Sequence, residues 1–92
     1  MQYSSNKKES LILKKIGSLI RKHREAQGKS IYKISAEAEI PKATWRELEL
    51  GIKNFRFITL WKIAEGLDIK LADLLNELSS ELGDDFNLSD LK

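Results

Sequence analysis

The side chains that could do chemistry in this chain are mostly cations and carboxylates, and they are unevenly placed. The 92 residues include 16 Lys+Arg and 14 Asp+Glu, for a net charge of +2. Residues 1–56 carry 13 Lys+Arg against 6 Asp+Glu, whereas residues 57–92 carry 3 against 8. A basic first part would let one face approach a polyanion. Charges that only coat solvated helix faces would give the same counts, so charge leaves both interpretations open.

Residue sets that support catalysis or metal binding are absent from the sequence. The chain has no cysteine, which excludes disulfides and zinc–thiolate sites, and its single histidine, His23, cannot form a metal cluster with another. No glycine-rich phosphate loop and no motif joining a histidine, a carboxylate and a nucleophile is present. The sequence therefore predicts a protein that is not an enzyme and needs no cofactor or metal.

The apolar residues that must position these side chains recur at helical spacing. Ile12, Ile16, Leu19, Ile20 and His23 follow i, i+4, i+7, i+8 and i+11, which is one face of a helix. We expect His23, on this face, to be a packed residue with one hydrogen bond. The same reasoning, with glycine and proline as stop and start signals, predicts five helices over about residues 9–27, 31–38, 41–50, 57–65 and 71–80. The predicted fold class is all-α.

One domain is the most that 92 residues allow. We expect a mobile N-terminal arm over residues 1–8, a globular domain over 9–80 and an acidic, flexible tail over 81–92. No apolar run approaches the roughly 20 residues that span a bilayer. The first residues also lack the apolar region and cleavage site of a signal peptide, so a cytoplasmic protein without membrane contact is expected.

A set of spaced residues runs through the predicted helices over about residues 16–78. They are Ile16, Gly17, Ile20, Arg24, Gly28, Ser30, Ile34, Ala38, Ile40, Thr44, Trp45, Leu48, Glu49, Gly51, Asn54, Leu60, Ile63, Ala64 and Leu67. This set resembles the Cro and phage-repressor (XRE-like) family of helix-turn-helix DNA-binding proteins. The resemblance implies a compact five-helix, lambda-repressor-like DNA-binding domain with its helix-turn-helix at helices 2 and 3.

In this family the third helix enters the major groove of DNA, and its first residues reach base edges. The resemblance places Lys42, Ala43, Arg46 and Glu47 there, and we call these four residues the reading surface. Lys42 would donate to guanine, Ala43 would contact a thymine methyl and Glu47 would accept from cytosine. Arg46 reaches either a guanine or a phosphate, and this choice stays open.

The resemblance also implies contacts to phosphates and one structural ion pair. The family grips phosphates with the start of its second helix and with the loop after the third helix. Arg24 and Glu49 match positions where the family often has a partly buried ion pair. The matching phosphate contacts are Ser30, Tyr32, Lys53, Asn54 and Arg56.

Several residues depart from the family pattern at the DNA-facing motif. Ile31 stands where a glutamine usually bonds phosphate, and Glu39 stands in a turn that usually holds glycine because of its positive φ. Pro41, Arg56 and Lys70 stand where polar residues usually cap the third, fourth and fifth helices.

The resemblance implies a sequence-specific transcriptional regulator, a repressor that binds a palindromic operator as a homodimer. It would be associated with the nucleoid, in a prokaryote or in a phage or mobile-element context. An alternative is a protein-interaction module, such as an antitoxin or a mobile-element controller, in which DNA binding is secondary or lost. The acidic tail would then dock on a protein partner through Phe86, Leu88 and Leu91. The expected dimer surface is Trp61 with the leucine row of the fifth helix, part of which must be core: Leu71, Leu74, Leu75 and Leu78.

Overall fold

The structure, a computed structural model, describes residues 7–89 of the chain. Within these residues there are five helices and no strand. This confirms the all-α, five-helix prediction. The first helix begins two residues earlier than predicted, and the fifth extends two residues further. The helices are α1 (Lys7–Ala26), α2 (Ile31–Ala38), α3 (Lys42–Leu50), α4 (Phe57–Gly66) and α5 (Leu71–Leu82).

The ends of the chain overlap only partly with the described residues. Lys7 and Lys8 belong to α1, and Lys8 donates from Nζ to the backbone carbonyl of Ser89 at 3.1 Å. Residues 1–6 and 90–92 lie outside the described part of the chain, and Leu91 of the expected tail lies among them. The division into arm, domain and tail therefore stays a prediction.

A single apolar core holds the helices together. Helix α1 packs on α3 and α5, α2 packs on α3 and α4, and α4 packs on α5. Trp45 of α3 is the largest fully buried side chain. Burying such an aromatic ring removes 150–250 Å² from water, roughly, so it dominates the packing of α3. The buried cluster comprises Ile16, Leu19, Ile20, Ile34, Ala38, Ile40, Trp45, Leu48, Ile63, Leu67 and Leu74.

Helix α3 lies directly against the backbone of α1 at Gly17. A Cβ on Gly17 would lie 2.4 Å from the carbonyl oxygen of Leu48 and 2.6 Å from that of Glu49. No side chain fits in that space, so glycine is what lets the two helices approach so closely. This contact fixes the distance between α3 and α1.

The turn between α2 and α3 is built on a residue with positive φ. Glu39 has φ 60° and ψ 43°, and its N–H donates to the carbonyl of Ala36 at 3.2 Å. The next N–H, that of Ile40, donates to the carbonyl of Ser35 at 2.9 Å, and the Ile40 side chain is buried. A left-handed conformation costs a residue with a Cβ roughly 1–2 kcal/mol. The turn therefore keeps the shape that glycine favours, and Glu39 carries strain.

Helix caps are uneven along the chain. The Oγ of Ser30 accepts from the N–H of Lys33 at 3.1 Å and caps α2. Pro41, Arg56 and Lys70 precede α3, α4 and α5 without a side-chain cap. Pro41 lies one residue outside the helix that we expected it to begin. Three helices thus begin without the stabilisation of about 0.5–2 kcal/mol that a polar cap gives.

Candidate nucleic-acid interface

A buried polar network fixes α3 to α1. The Nε and Nη2 of Arg24 donate to Oε2 and Oε1 of Glu49 at 2.6 and 3.0 Å. Oε2 also accepts from the indole N–H of Trp45 at 2.6 Å, and Arg24 Nη1 donates to the carbonyl of Lys29 at 2.9 Å. The Arg24 and Glu49 side chains are only 12% and 5% exposed. Both carboxylate oxygens are therefore satisfied, as a buried charge requires.

The pair also affects the ionisation of Arg24. Its hydrogen bonds to the Glu49 carboxylate raise the pKa of the Arg24 guanidinium above its ordinary value, against the opposing effect of burial. The cation is therefore stable wherever the protein is folded near neutral pH. A charged, two-pronged contact of this kind holds both direction and distance.

The reading surface lies on the solvent side of α3. Lys42, Ala43 and Arg46 are exposed and Glu47 is half-buried, whereas Trp45 and Leu48 on the opposite face are in the core. Spacings of one, four and five residues place all four on one helical face. The structure therefore presents the four predicted residues together.

Two of these side chains have neighbours that restrict them. The Nζ of Lys42 lies 5.9 Å from the centre of the Tyr32 ring, which is within the range of a cation–π contact. The Nζ of Lys53 lies 3.6 Å from Oε1 of Glu47, and both side chains are about half exposed. Tyr32 and Lys53, predicted to bind phosphate, thus each contact a predicted base reader.

The predicted phosphate contacts flank α3 at both ends. Ser30 caps α2 and Tyr32 lies in its first turn, while Lys53, Asn54 and Arg56 lie in the exposed segment between α3 and α4. Asn54 Oδ1 accepts from the N–H of Phe55 at 2.8 Å, which orders this segment.

Ile31 does not lie free on the DNA-facing side. It is half-buried and packs against the apolar core. A glutamine there would have kept a polar head exposed, whereas isoleucine contributes to packing. Phosphate binding near the start of α2 must therefore come from other residues.

The leucine row of α5 divides between core and surface. Leu74 is fully buried, so its assignment to a dimer surface is wrong: it lies in the core with Ile20 and Ile63. Leu75 is 37% exposed and Trp61 is 47% exposed, while Leu71 and Leu78 are half-buried. Only part of the row can therefore meet a second molecule.

Two further apolar side chains extend this surface, and the sequence reasoning missed them. Phe57 and Ile58 of α4 are 64% and 65% exposed, and the Phe57 ring meets Trp61 edge-on at 6.0 Å. Their spacing was a usable signal, because residues 57, 58 and 61 lie off the inward stripe of residues 60, 63, 64 and 67. We call Phe57, Ile58, Trp61 and Leu75 the α4–α5 apolar surface.

Helix α5 is tied to α1 by polar contacts as well. His23 Nε2 and Glu77 Oε1 are 2.7 Å apart, and Lys15 Nζ lies 3.7 Å from Glu81 Oε1. His23 thus packs with a hydrogen-bond partner on α5. Within residues 7–89 no group of side chains is arranged to hold a metal ion, and no helix is long and apolar enough to cross a membrane.

Comparison with known proteins agrees with this geometry. The helix-turn-helix family matches residues 20–74, which is more than half of the chain. No curated protein is significantly similar in sequence.

Solved structures share the fold at low sequence identity. The clp gene regulator ClgR from Corynebacterium glutamicum superimposes with a TM-score of 0.71 at 21% identity, over 76% of this chain and 74% of that one. A second ClgR structure gives 0.72 at 20% identity, over 79% and 95% of the two chains. An HTH_3 family transcriptional regulator from Vibrio cholerae gives 0.72 at 22% identity, over 89% of this chain but 46% of that one.

Proposed function

The chain belongs to the XRE-type helix-turn-helix family, and on that premise we propose that it is a sequence-specific DNA-binding transcriptional regulator. The solved structures that share its fold include proteins described as regulators, which supports this proposal. We further propose that it acts as a repressor by occupying a palindromic operator as a homodimer.

The observation that carries the proposal is the contrast between the two faces of α3. Its inner face is fixed by Trp45 and by the Arg24–Glu49 pair. Its outer face presents Lys42 and Arg46 to solvent. A rigid helix with exposed donors suits insertion into the major groove, where donors and acceptors on base edges differ from pair to pair.

Binding would combine base contacts with phosphate contacts. Lys42 would donate to guanine O6 or N7, Glu47 would accept from cytosine N4 and Ala43 would contact a thymine methyl. The flanking phosphate contacts would fix the register of the helix on the duplex. These are Ser30, Tyr32, Lys53, Asn54 and Arg56.

The α4–α5 apolar surface supports the homodimer. Four large apolar side chains exposed together call for a partner surface, and a two-fold axis lets the same patch cover itself. A dimer of this kind would present two α3 helices to half-sites about one helical turn apart. Leu71 and Leu78 would lie at its edge.

The same exposed side chains also favour the second candidate function, a protein-interaction module. In that case the α4–α5 apolar surface, or Phe86 and Leu88 after α5, would contact a different protein. The two candidates differ in what they require of α3, because only the regulator needs Lys42 to meet DNA.

Titration of a fluorescent mixed-sequence DNA duplex with the full chain tests the proposal. We expect binding that weakens steeply as salt rises, because each neutralised phosphate contributes about 0.9 to the log–log slope. Lys42→Glu should weaken binding strongly, and Lys7→Glu, the same charge change at the exposed first residue of α1, should have little effect. No binding by the wild type at low salt, or equal effects of the two substitutions, would favour the protein-interaction module.

A further inference from the structure

A small cleft lies where α1, α2 and α3 meet, at the edge of the reading surface, and none of the predicted phosphate contacts lines it. Its volume is about 180 Å³, and it opens to solvent beside Arg46, which belongs to the reading surface as well. Water occupies about 30 Å³ per molecule in the liquid, so the cleft has room for a small polar group. It is lined by Arg21, Arg24, Ile31, Arg46, Glu49 and Leu50.

The charge of this cleft is positive. Glu49 is the only carboxylate in the lining, and Arg24 and Trp45 already occupy both of its oxygens. Arg21 and Arg46 therefore supply cations that the lining does not neutralise. They come from two different helices, α1 and α3, and both line the same cleft.

Arg21 forms only an exposed ion pair, with Glu25 of its own helix. Its Nε donates to Glu25 Oε2 at 3.0 Å, but the two side chains are 62% and 54% exposed. An exposed ion pair of this kind is worth roughly 0–1 kcal/mol, so exchanging Glu25 for an anion would cost little. A guanidinium binds a phosphate through two parallel N–H groups, which a lysine cannot do.

Ile31 and Leu50 form the apolar part of the lining. Their side chains offer no hydrogen bond, so an anion entering the cleft would be held by arginine side chains of the lining. The replacement of a polar side chain by Ile31 is therefore compatible with anion binding here.

We propose that Arg21 and Arg46, which both line this cleft, bind one phosphodiester of the DNA backbone together. The proposal rests on the proposed DNA-binding function and deepens it. It assigns a phosphate to Arg46 rather than a guanine, and it adds Arg21 to the residues that bind DNA. Arg24 stays with Glu49 and shapes the cleft.

The test measures affinity for a mixed-sequence duplex across a series of NaCl concentrations. The proteins are the wild type, Arg21→Ala, Arg46→Ala and the double variant, with Lys22→Ala as the control on α1. Each arginine substitution should weaken binding about tenfold, as expected for loss of a charged hydrogen bond. The log–log salt slope should fall by up to about 0.9. The double variant should lose much less than the product of the single losses, because both residues hold one phosphate.

Each contrary result has a distinct meaning. If Arg21→Ala binds the duplex as tightly as Lys22→Ala does, the proposal is overturned, whereas the proposed DNA binding itself stands. Single losses that multiply in the double variant overturn the shared phosphate. If affinities for single-base variants of a bound duplex show that Arg46→Ala loses preference at one position, Arg46 reads a base and the proposal is overturned. A wild type that does not bind duplex DNA overturns both this proposal and the function on which it rests. Thermal unfolding of each variant distinguishes the loss of a DNA contact from a loss of folding stability. Arg21→Gln and Arg46→Gln replace any variant that is unstable.

Discussion

Glu49 shows how one carboxylate can set the position of a whole helix. It accepts from Arg24 of α1 and from Trp45 of its own helix, and its side chain is only 5% exposed. Removing one member of such a pair leaves the other charge buried without compensation, which is far costlier than losing an exposed pair. The Lys53–Glu47 contact provides the comparison, because it is longer and half exposed.

Arg24→Ala should therefore lower the free energy of unfolding by about 3 kcal/mol, because it strands the Glu49 carboxylate. Lys53→Ala should change it by roughly 0–1 kcal/mol. Chemical denaturation of both variants measures the difference. Equal effects would contradict a structural role for the Arg24–Glu49 pair.

Among the residues of the reading surface, substitution of Lys42 gives the clearest test of base reading. Its Nζ rests near the Tyr32 ring, so it is partly ordered before DNA arrives. Lys42→Ala should relax the preference at one operator position by about 1–3 kcal/mol while other positions keep theirs. Affinities for single-base operator variants measure this. Uniform weakening on every sequence would make Lys42 a phosphate contact.

Among the elements, the turn between α2 and α3 carries the clearest local strain. Glu39→Gly should raise the free energy of unfolding by about 0.5–1 kcal/mol, because glycine adopts positive φ without a Cβ clash. Glu37→Gly, the same change inside α2, should lower it by about 1 kcal/mol. Thermal unfolding of the two variants should thus shift in opposite directions, and a shared sign would argue against the left-handed turn.

The close contact between α1 and α3 predicts that substitutions at two neighbouring residues, Gly17 and Ser18, differ in their effect on stability. Gly17→Ala puts a methyl group against the carbonyls of Leu48 and Glu49, and should cost about 1–3 kcal/mol of stability by overpacking. Ser18→Ala changes an exposed position and should stay within about 0.5 kcal/mol. Equal unfolding midpoints for the two variants would show that the helices do not approach this closely.

The helices were predictable because each has an apolar stripe, and glycines mark the ends of two of them, Gly28 after α1 and Gly51 after α3. Leu74 shows what periodicity cannot decide. Leu71, Leu74, Leu75 and Leu78 share one stripe, and which of them is buried depends on how α5 is rotated against α1 and α4. The cleft lined by Arg21 and Arg46 could not be predicted from the sequence either, since its lining comes from three helices.

At the scale of the whole molecule, the α4–α5 apolar surface predicts self-association. Leu75→Glu should shift a dimer toward monomer, because it buries a charge in the interface. Leu88→Glu is the matched control, since Leu88 is 46% exposed but lies after α5, outside this surface. Sedimentation over a range of protein concentrations measures the shift. If the two variants self-associate identically, the dimer interface does not lie on the α4–α5 apolar surface.

The central claim is that the outer face of α3 reads DNA sequence, and selection of bound sequences from random duplex DNA at a fixed salt concentration tests it most directly. The account predicts an enriched consensus with two-fold symmetry and half-sites about one helical turn apart. Enrichment should collapse when the reading surface is altered by Lys42→Ala together with Glu47→Ala. Binding that enriches no sequence in the wild type would contradict the account.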